Sequence, residues 1–283
     1  MTSATVSETN NAAGDSNAAH SPSEAFVELV GVEKSFGTTP VLRGVNLSVP
    51  RGKVLTILGG SGSGKSVMLK HMIGLLRADA GSVFADGRDV TRLSEREWID
   101  VRKRIGYVFQ GAALFDSLSV YENVAYPLRE HLDWTEGQVN ARVEECLESV
   151  GLAGVGPKMP AELSGGMRKR VGVARAIALR PKAILYDEPT TGLDPGNSRR
   201  IGHLIGELQT GLDVTSVVVT HDIELCLAIS DRVVLLDAGK IAVDGTVEEF
   251  RNSTAPEVEM FLGNTSDVQP HAAANSDGET HGR

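Results

Sequence analysis

Val54-Leu55-Thr56-Ile57-Leu58 runs without a break into Gly59-Gly60-Ser61-Gly62-Ser63-Gly64-Lys65-Ser66. A short, nearly continuous apolar run of this kind reads as a buried strand. The segment after it fits G-x-x-x-x-G-K-[ST], a phosphate-binding loop that opens a helix. That helix is expected over Lys65 to Leu76. A buried strand that passes straight into a helix belongs to a covered, mostly parallel sheet. Leu163-Ser164-Gly165-Gly166-Met167 and the strand-like Ala183-Ile184-Leu185-Tyr186-Asp187-Glu188 follow in that order.

The rest of the chain fits that architecture. It has 283 residues, 41% hydrophobic and 23% charged, enough for a substantial core. Residues 1–24 are rich in Ser, Thr, Asn and Ala, and residues 264–283 are similar. Both stretches are expected to be disordered or flexible tails, because they have too little apolar surface to offset ordering entropy. Residues 25–263 are expected to form one α/β unit. The net charge of −9 does not favour a nucleic-acid partner, which calls for a basic stripe. No apolar run approaches the roughly 18 residues that span a bilayer. The first Lys or Arg is Lys34, so the N-terminus lacks the charged and apolar regions of a signal peptide. The expectation is a cytoplasmic protein whose membrane role comes through a partner. Cys146 and Cys226 have no metal-ligand spacing and are expected to be buried thiols.

Strands are also expected at Phe26–Val30, Val45–Val49, Thr215–Thr220 and Arg232–Leu236. Ser94-x-x-Glu97, Thr135-x-x-Gln138 and Thr246-x-x-Glu249 are capping-box signals that open helices. Asp194-Pro195 places an N-cap before a first-turn proline. Helical patterns fill much of 120–150, and another helix is expected over Ser164 to Leu179.

The chemistry follows from the strand ends. Glycines let the loop amides turn toward phosphate oxygens at a helix N-terminus. Lys65 should reach the β- and γ-phosphates, and the Ser66 hydroxyl should bind Mg²⁺. Asp187 ends a buried strand, where a carboxylate can hold the same Mg²⁺. Glu188 is the candidate base for an attacking water. His221 and Gln110 end two further apolar runs, on the edge of a parallel sheet where ligands bind. Ser164, Gly165 and Gly166 open a helix and form a second anion-binding end. One nucleotide drawing on both ends suggests a head-to-tail dimer. Arg168-Lys169-Arg170 is expected to be a solvated basic face.

With these motifs together, the chain resembles the ATP-binding subunit of an ABC transporter over about residues 26–262. The resemblance implies an α/β P-loop NTPase core with a mostly parallel sheet, an antiparallel β subdomain and a helical subdomain at about 111–180. It implies ATP and Mg²⁺ as cofactors, with ATP hydrolysis coupled to transport. Phe36 matches the aromatic that stacks on adenine, and Gly59 to Ser66 match the Walker A loop. Gln110 matches the Q-loop residue that links Mg²⁺ to the transporter contact. Leu163 to Met167 match the signature that touches the γ-phosphate held by the opposite subunit. Asp187 and Glu188 match Walker B and the catalytic glutamate, Asp194 the D-loop and His221 the switch histidine. Met167 stands where most of the family has glutamine.

Leu163 to Ala176, Phe109 to His131, Pro256 to Leu262 and Gly60 are similar to the subgroup, often called Mla, that powers lipid transport with Mce-domain proteins. That similarity implies phospholipid movement between inner membrane and cell envelope, at the cytoplasmic face of the inner membrane. Its implied partners are a second copy of the chain, an integral membrane permease, a STAS-domain protein and an Mce-domain lipid-binding protein. In the family the permease docks after the Q-loop, so Ala112, Leu114, Phe115 and Leu118 either form a docking surface or pack a helical lobe. Segment 256–283 is implied to reach toward the dimer partner. The alternatives are the ATPase of a polar-solute importer, a non-transport ABC scaffold and an unrelated P-loop kinase.

Overall fold

A computed structural model describes residues 24–266. The tails expected at 1–24 and 264–283 lie outside the described residues, apart from Glu24 and the end of the last helix. Two long strands come first, β1 (Ala25–Phe36) and β2 (Thr39–Pro50). Next are β3 (Val54–Leu58), α1 (Lys65–Met72), β4 (Ala80–Ala85) and β5 (Arg88–Asp89). Then come α2 (Glu95–Arg102), β6 (Ile105–Val108), α3 (Val120–His131), α4 (Glu136–Ser149) and α5 (Gly165–Ile177). The chain continues with β7 (Ala183–Asp187), α6 (Pro195–Leu212), β8 (Thr215–Thr220) and α7 (Ile223–Ile229). It closes with β9 (Arg232–Asp237), β10 (Lys240–Thr246), α8 (Val247–Arg251) and α9 (Pro256–Ser266).

The larger sheet has the order β10-β9-β3-β8-β7-β6, and the smaller one β2-β1-β4-β5. In the larger sheet only the β10–β9 pair is antiparallel; the smaller sheet is antiparallel throughout. Every residue of β3, β7 and β8 is buried. Helices cover both faces of such a parallel sheet, so both faces of each strand must be apolar. One core lies between this sheet and α3–α6, with Val124, Val143, Val171 and Ile205 in it. A second joins the two sheets to α1 and α2 through Leu29, Val45, Ile57, Met68 and Trp98.

The capping boxes at Ser94, Thr135 and Thr246 are all formed, as is a fourth at Ser119 with Glu122. Two expected helices are shorter than their patterns. α1 stops at Met72 rather than Leu76. The amides of Gly74 and Leu75 turn back to the carbonyls of His71 and Lys70, a Schellman ending. α5 runs from Gly165 to Ile177, with Ser164 as its N-cap. α9 crosses the boundary expected at 263. Its Val258 is buried against α8 and β9 in a third small core, so this start of segment 256–283 packs on its own chain.

α5 lies directly on β6. A Cβ on Gly106 would stand 2.7 Å from the carbonyl oxygen of Ala176, so only glycine permits this approach. Cys146 and Cys226 are buried, and burial pushes both thiols up to about 11.

Gly106→Ala should force α5 away from β6 and lower the unfolding free energy by about 1–3 kcal/mol. A urea midpoint equal to that of the parent chain would contradict this packing. Iodoacetamide at about pH 8 should leave both cysteines of the folded chain unmodified and alkylate both after unfolding. Rapid modification of the native chain would show that the thiols are not enclosed.

Candidate functional site

Parallel register assembles the site. Leu58 of β3 pairs with Thr220 of β8, Val219 of β8 with Asp187 of β7, and Tyr186 of β7 with Val108 of β6. Four C-terminal strand ends therefore share one edge. The chain leaves that edge through Gly59, His221, Glu188 and Gln110, the place where open α/β sheets bind ligands. A cleft of ≈ 700 Å³ above it is lined by Phe36, Gly60, Ser61, Gly62, Gly64, Lys65, Ser66, Gln110, Glu188 and His221. Ser63 and Gly59 form the inner side of the loop, where the Ser63 hydroxyl is buried without a partner.

Gly64 caps α1 with φ 106°, and a Cβ there would press on Leu42 and on the carbonyl of Val41. Only glycine accepts both constraints. The amides of Lys65 and Ser66 are then first-turn donors without intrahelical partners, at the positive end of the helix dipole. Lys65 folds back so that Nζ donates to the carbonyls of Gly59 (2.8 Å) and Gly60 (2.9 Å). Burial lowers its pKa, and the charges of Glu188 and Asp187 oppose that shift. The cation thus sits within the loop that would surround a phosphate.

Asp187 is gripped from two sides. The Ser66 hydroxyl donates to Oδ1 at 2.7 Å, and the Tyr107 hydroxyl donates to Oδ2 at 3.0 Å. Burial and the Asp187 charge push the Tyr107 phenol upward, which keeps it a neutral donor. Ser66 and Asp187 thus present two hard oxygens side by side, with the Gln110 amide on the same cleft. This donor set fits Mg²⁺, which prefers one or two protein oxygens supplemented by phosphate and water.

Glu188 has a left-handed backbone, φ 50°, and its amide donates to the carbonyl of Val219 at 2.9 Å. His221 Nδ1 lies 2.8 Å from Oε2, and the Thr191 hydroxyl donates to the same oxygen at 3.1 Å. Lys65 Nζ stands 3.8 Å from Oε1. The carboxylate is nearly buried, fixed in orientation and directed at the phosphate loop. Such a group can orient and polarise a water over a bound phosphate.

The second anion end lies elsewhere. Ser164 is exposed at the start of α5 and accepts from the Met167 amide at 3.3 Å. Asp194 caps α6, accepting from the Asn197 amide at 3.0 Å, and a Cβ on Gly166 would meet Asn197 at 3.0 Å. Ser164, Gly165, Gly166 and Asp194 therefore gather together. No residue of 163–167 lines the cleft that holds the loop.

The expected solvated basic face at Arg168-Lys169-Arg170 is not formed. Successive helix positions are about 100° apart, so the run is divided among different faces. Arg168 is exposed and bonds the Leu163 carbonyl, whereas Arg170 bonds the carbonyls of Val150 and Gly151. Lys169 is buried and donates to the carbonyls of Gln110 and Glu188. Sequence reasoning also passed over Tyr107, Thr191, Val41 and Phe261, the last two on the cleft wall. Tyr107 lies inside the run that ends at Gln110. Its role appears only once β6 pairs with β7.

Comparison with known proteins agrees with this geometry. The family model described as "ABC transporter" matches residues 42–191. The intermembrane phospholipid transport system ATP-binding protein MlaF of Haemophilus influenzae is 42% identical over 242 residues, 86% of this chain and 92% of that protein. The probable ribonucleotide transport ATP-binding protein mkl of Mycobacterium leprae is 41% identical over 241 residues, 85% of this chain and 70% of that protein. Among solved structures, the ATP-binding cassette MJ0796, a dimer in a post-hydrolysis state bound to ADP and Pi, superposes with a TM-score of 0.73. It is 34% identical and covers 78% of this chain and 98% of its own. The family model, relatives matched over most of the chain and this fold together make it an ATP-hydrolysing member of the ABC transporter family.

Proposed function

We propose that two copies of the chain close head to tail around two ATP molecules and drive a membrane permease that moves phospholipid. The observation that carries the hydrolytic part is the fixed Glu188 carboxylate, held by His221 at 2.8 Å and directed at the Lys65 loop. The dimer reading draws on the separation of Ser164 from that cleft. In the closed pair, the γ-phosphate lies between the Lys65 loop of one subunit and the partner subunit's Ser164, Gly165 and Gly166. Phe36, exposed on the cleft, stacks on the adenine ring. Asp194 stands beside the signature at the joint between the subunits.

Glu188 accepts a hydrogen bond from a water placed in line with the bond to the leaving ADP. As the water oxygen bonds to the γ-phosphorus and gives up a proton to Glu188, the bond to the β–γ bridging oxygen breaks and its electron pair leaves with ADP. Lys65 and His221 stabilise the charge that spreads over the transferred group. Ser66, Asp187 and Gln110 would hold Mg²⁺, which supplies further neutralisation of the phosphate oxygens when bound. Closure with ATP and opening after hydrolysis give the two states different nucleotide affinities, the free-energy difference that can drive transport.

The permease reading draws on the surface beside Gln110. Ala112 is buried and Leu114 packs against the helical core, so those two serve the lobe at about 111–180. Phe109, Phe115 and Tyr126 are exposed, and the last two rings touch at 5.2 Å. Together they border a groove of ≈ 320 Å³, a suitable seat for an apolar permease segment. No helix among the described residues is long and apolar enough to cross a membrane. In this reading, a seat at the cytoplasmic face of the inner membrane comes through that permease.

Phospholipid as cargo rests on the similarity to MlaF, which extends over 92% of that protein. A STAS-domain protein and an Mce-domain lipid-binding protein complete the assembly in this reading, and nucleic acid has no part in it. A polar-solute importer is the second reading, favoured by the methionine import ATP-binding protein MetN of Rhizobium johnstonii, 44% identical over 229 residues.

Glu188→Gln should bind ATP with near-parental affinity, lose hydrolysis by at least about a hundredfold and accumulate as a closed dimer. Hydrolysis at the parental rate would remove Glu188 as the base. A gentle detergent pull-down from native membranes, followed by mass spectrometry, should recover a permease, an Mce-domain protein and phospholipid. Recovery of a permease with a solute-binding protein and no lipid would move the cargo to the importer reading.

A further inference from the structure

α5 carries two inward cations that grip the chain where it leaves the site edge. Lys169 donates from Nζ to the carbonyl oxygen of Gln110 and, at 3.2 Å, to that of Glu188. Arg175 donates to the carbonyls of Ala112 and Ala113, both at 2.8 Å. The backbones so held are unusual. Ala112, Ala113 and Glu188 have φ of 62°, 44° and 50°, left-handed values that strain a residue with a Cβ and persist only where surroundings enforce them.

Lys169 is 7% exposed, and a cation so placed is retained only where it is well bonded and electrostatically matched. Burial lowers its pKa, while the charges of Glu188 and Asp187 raise it. Its ammonium therefore lies in the field of the two site carboxylates but bonds neither of them. It bonds the backbone that aims one of them. Glu188 then has fixed points at both ends: its amide on Val219 and its carbonyl on Lys169. The same ammonium binds the Gln110 carbonyl, next to the exposed Phe109 of the groove described above.

We propose that Lys169 is a positioning residue for hydrolysis, tying the Gln110 and Glu188 backbones together so that the Glu188 carboxylate is aimed only while the Gln110 segment is seated on α5. A displacement of the Gln110 segment by a docked permease would then be felt at the attacking water without any contact between permease and nucleotide. This inference rests on the reading of Glu188 as the base.

The test uses the full chain with Lys169→Met, which keeps length and removes the donor, with Lys169→Arg, which keeps the charge and several donors, and with Glu188→Gln as reference. Two quantities are measured: kcat and KM for ATP, and amide hydrogen exchange by mass spectrometry. Lys169→Met should lower kcat by about ten- to a hundredfold, as misaimed catalytic groups do, with KM within about twofold of the parent. Exchange should accelerate at 109–113 and 187–192 and stay unchanged at 171–178. Lys169→Arg should restore at least about a third of kcat and slow the exchange again.

Parental kcat and parental exchange in Lys169→Met would overturn the proposal. So would an equal loss of ATP binding with accelerated exchange throughout α5, the mark of a merely structural lysine. If Lys169→Met does not fold, Lys169→Gln takes its place with the same readouts, and where the isolated chain turns over too slowly to measure, exchange alone decides. Glu188→Gln that hydrolyses ATP at the parental rate removes the reading beneath the proposal. An inactive Glu188→Gln beside a fully active Lys169→Met removes the proposal alone.

Discussion

The parallel pairing of β3, β8, β7 and β6 is the constraint on which the rest depends. Their register brings Leu58, Thr220, Asp187 and Val108 to one edge, so the chain leaves the sheet four times at nearly one place. That edge needs strands buried on both faces, because helices must cover the sheet to make the crossovers. β3, β7 and β8 meet this demand with every residue buried. The candidate site residues thus stand at the ends of fully buried strands. Residues that need odd backbone geometry, Gly64 and Glu188, begin where the strands stop.

The hydrogen bonds at this edge form a continuous network around two carboxylates. Asp187 is fixed by Ser66 from the phosphate loop and by Tyr107 from the neighbouring strand. Glu188 is fixed by His221 and Thr191 through its side chain, and by Lys169 through its backbone. α5 belongs to this network at its middle while presenting Ser164 at its exposed N-terminus. One helix therefore carries Ser164 at its N-terminus and, through Lys169, bonds the backbones of Gln110 and Glu188.

Much of this was legible in the sequence, for reasons that are local. The phosphate loop is a contiguous motif after a contiguous apolar strand. Asp187, Glu188 and His221 declare themselves as polar residues that end apolar runs. The boxes at Ser94, Thr135 and Thr246 are satisfied within one helical turn, so spacing alone reveals them. What escaped depends on long-range pairing. Tyr107 reaches Asp187 across the β6–β7 ladder, and Lys169 meets Gln110 and Glu188 through packing of α5 on the sheet. A run of three basic residues reads as a solvated face until helical geometry divides it. β5 and β10 escaped as sheet-edge strands without a fully buried residue, and β4 because only its Val83 and Ala85 are buried. α1 was read too long because its apolar pattern continues past Met72, although Gly74 marks the Schellman ending.

The central claim is that each ATP site is built from two chains. Mixing a Lys65→Met chain with a Ser164→Arg chain tests it directly, because a mixed dimer then combines one intact loop with one intact signature across the interface. Both chains carry Glu188→Gln to prevent turnover, and ATP retained by the isolated dimers is counted. The account predicts about one ATP held per mixed dimer and almost none in either chain alone, as expected when catalytic groups act as a unit. Retention by the mixture no greater than the sum of the separate chains would contradict a site shared between subunits.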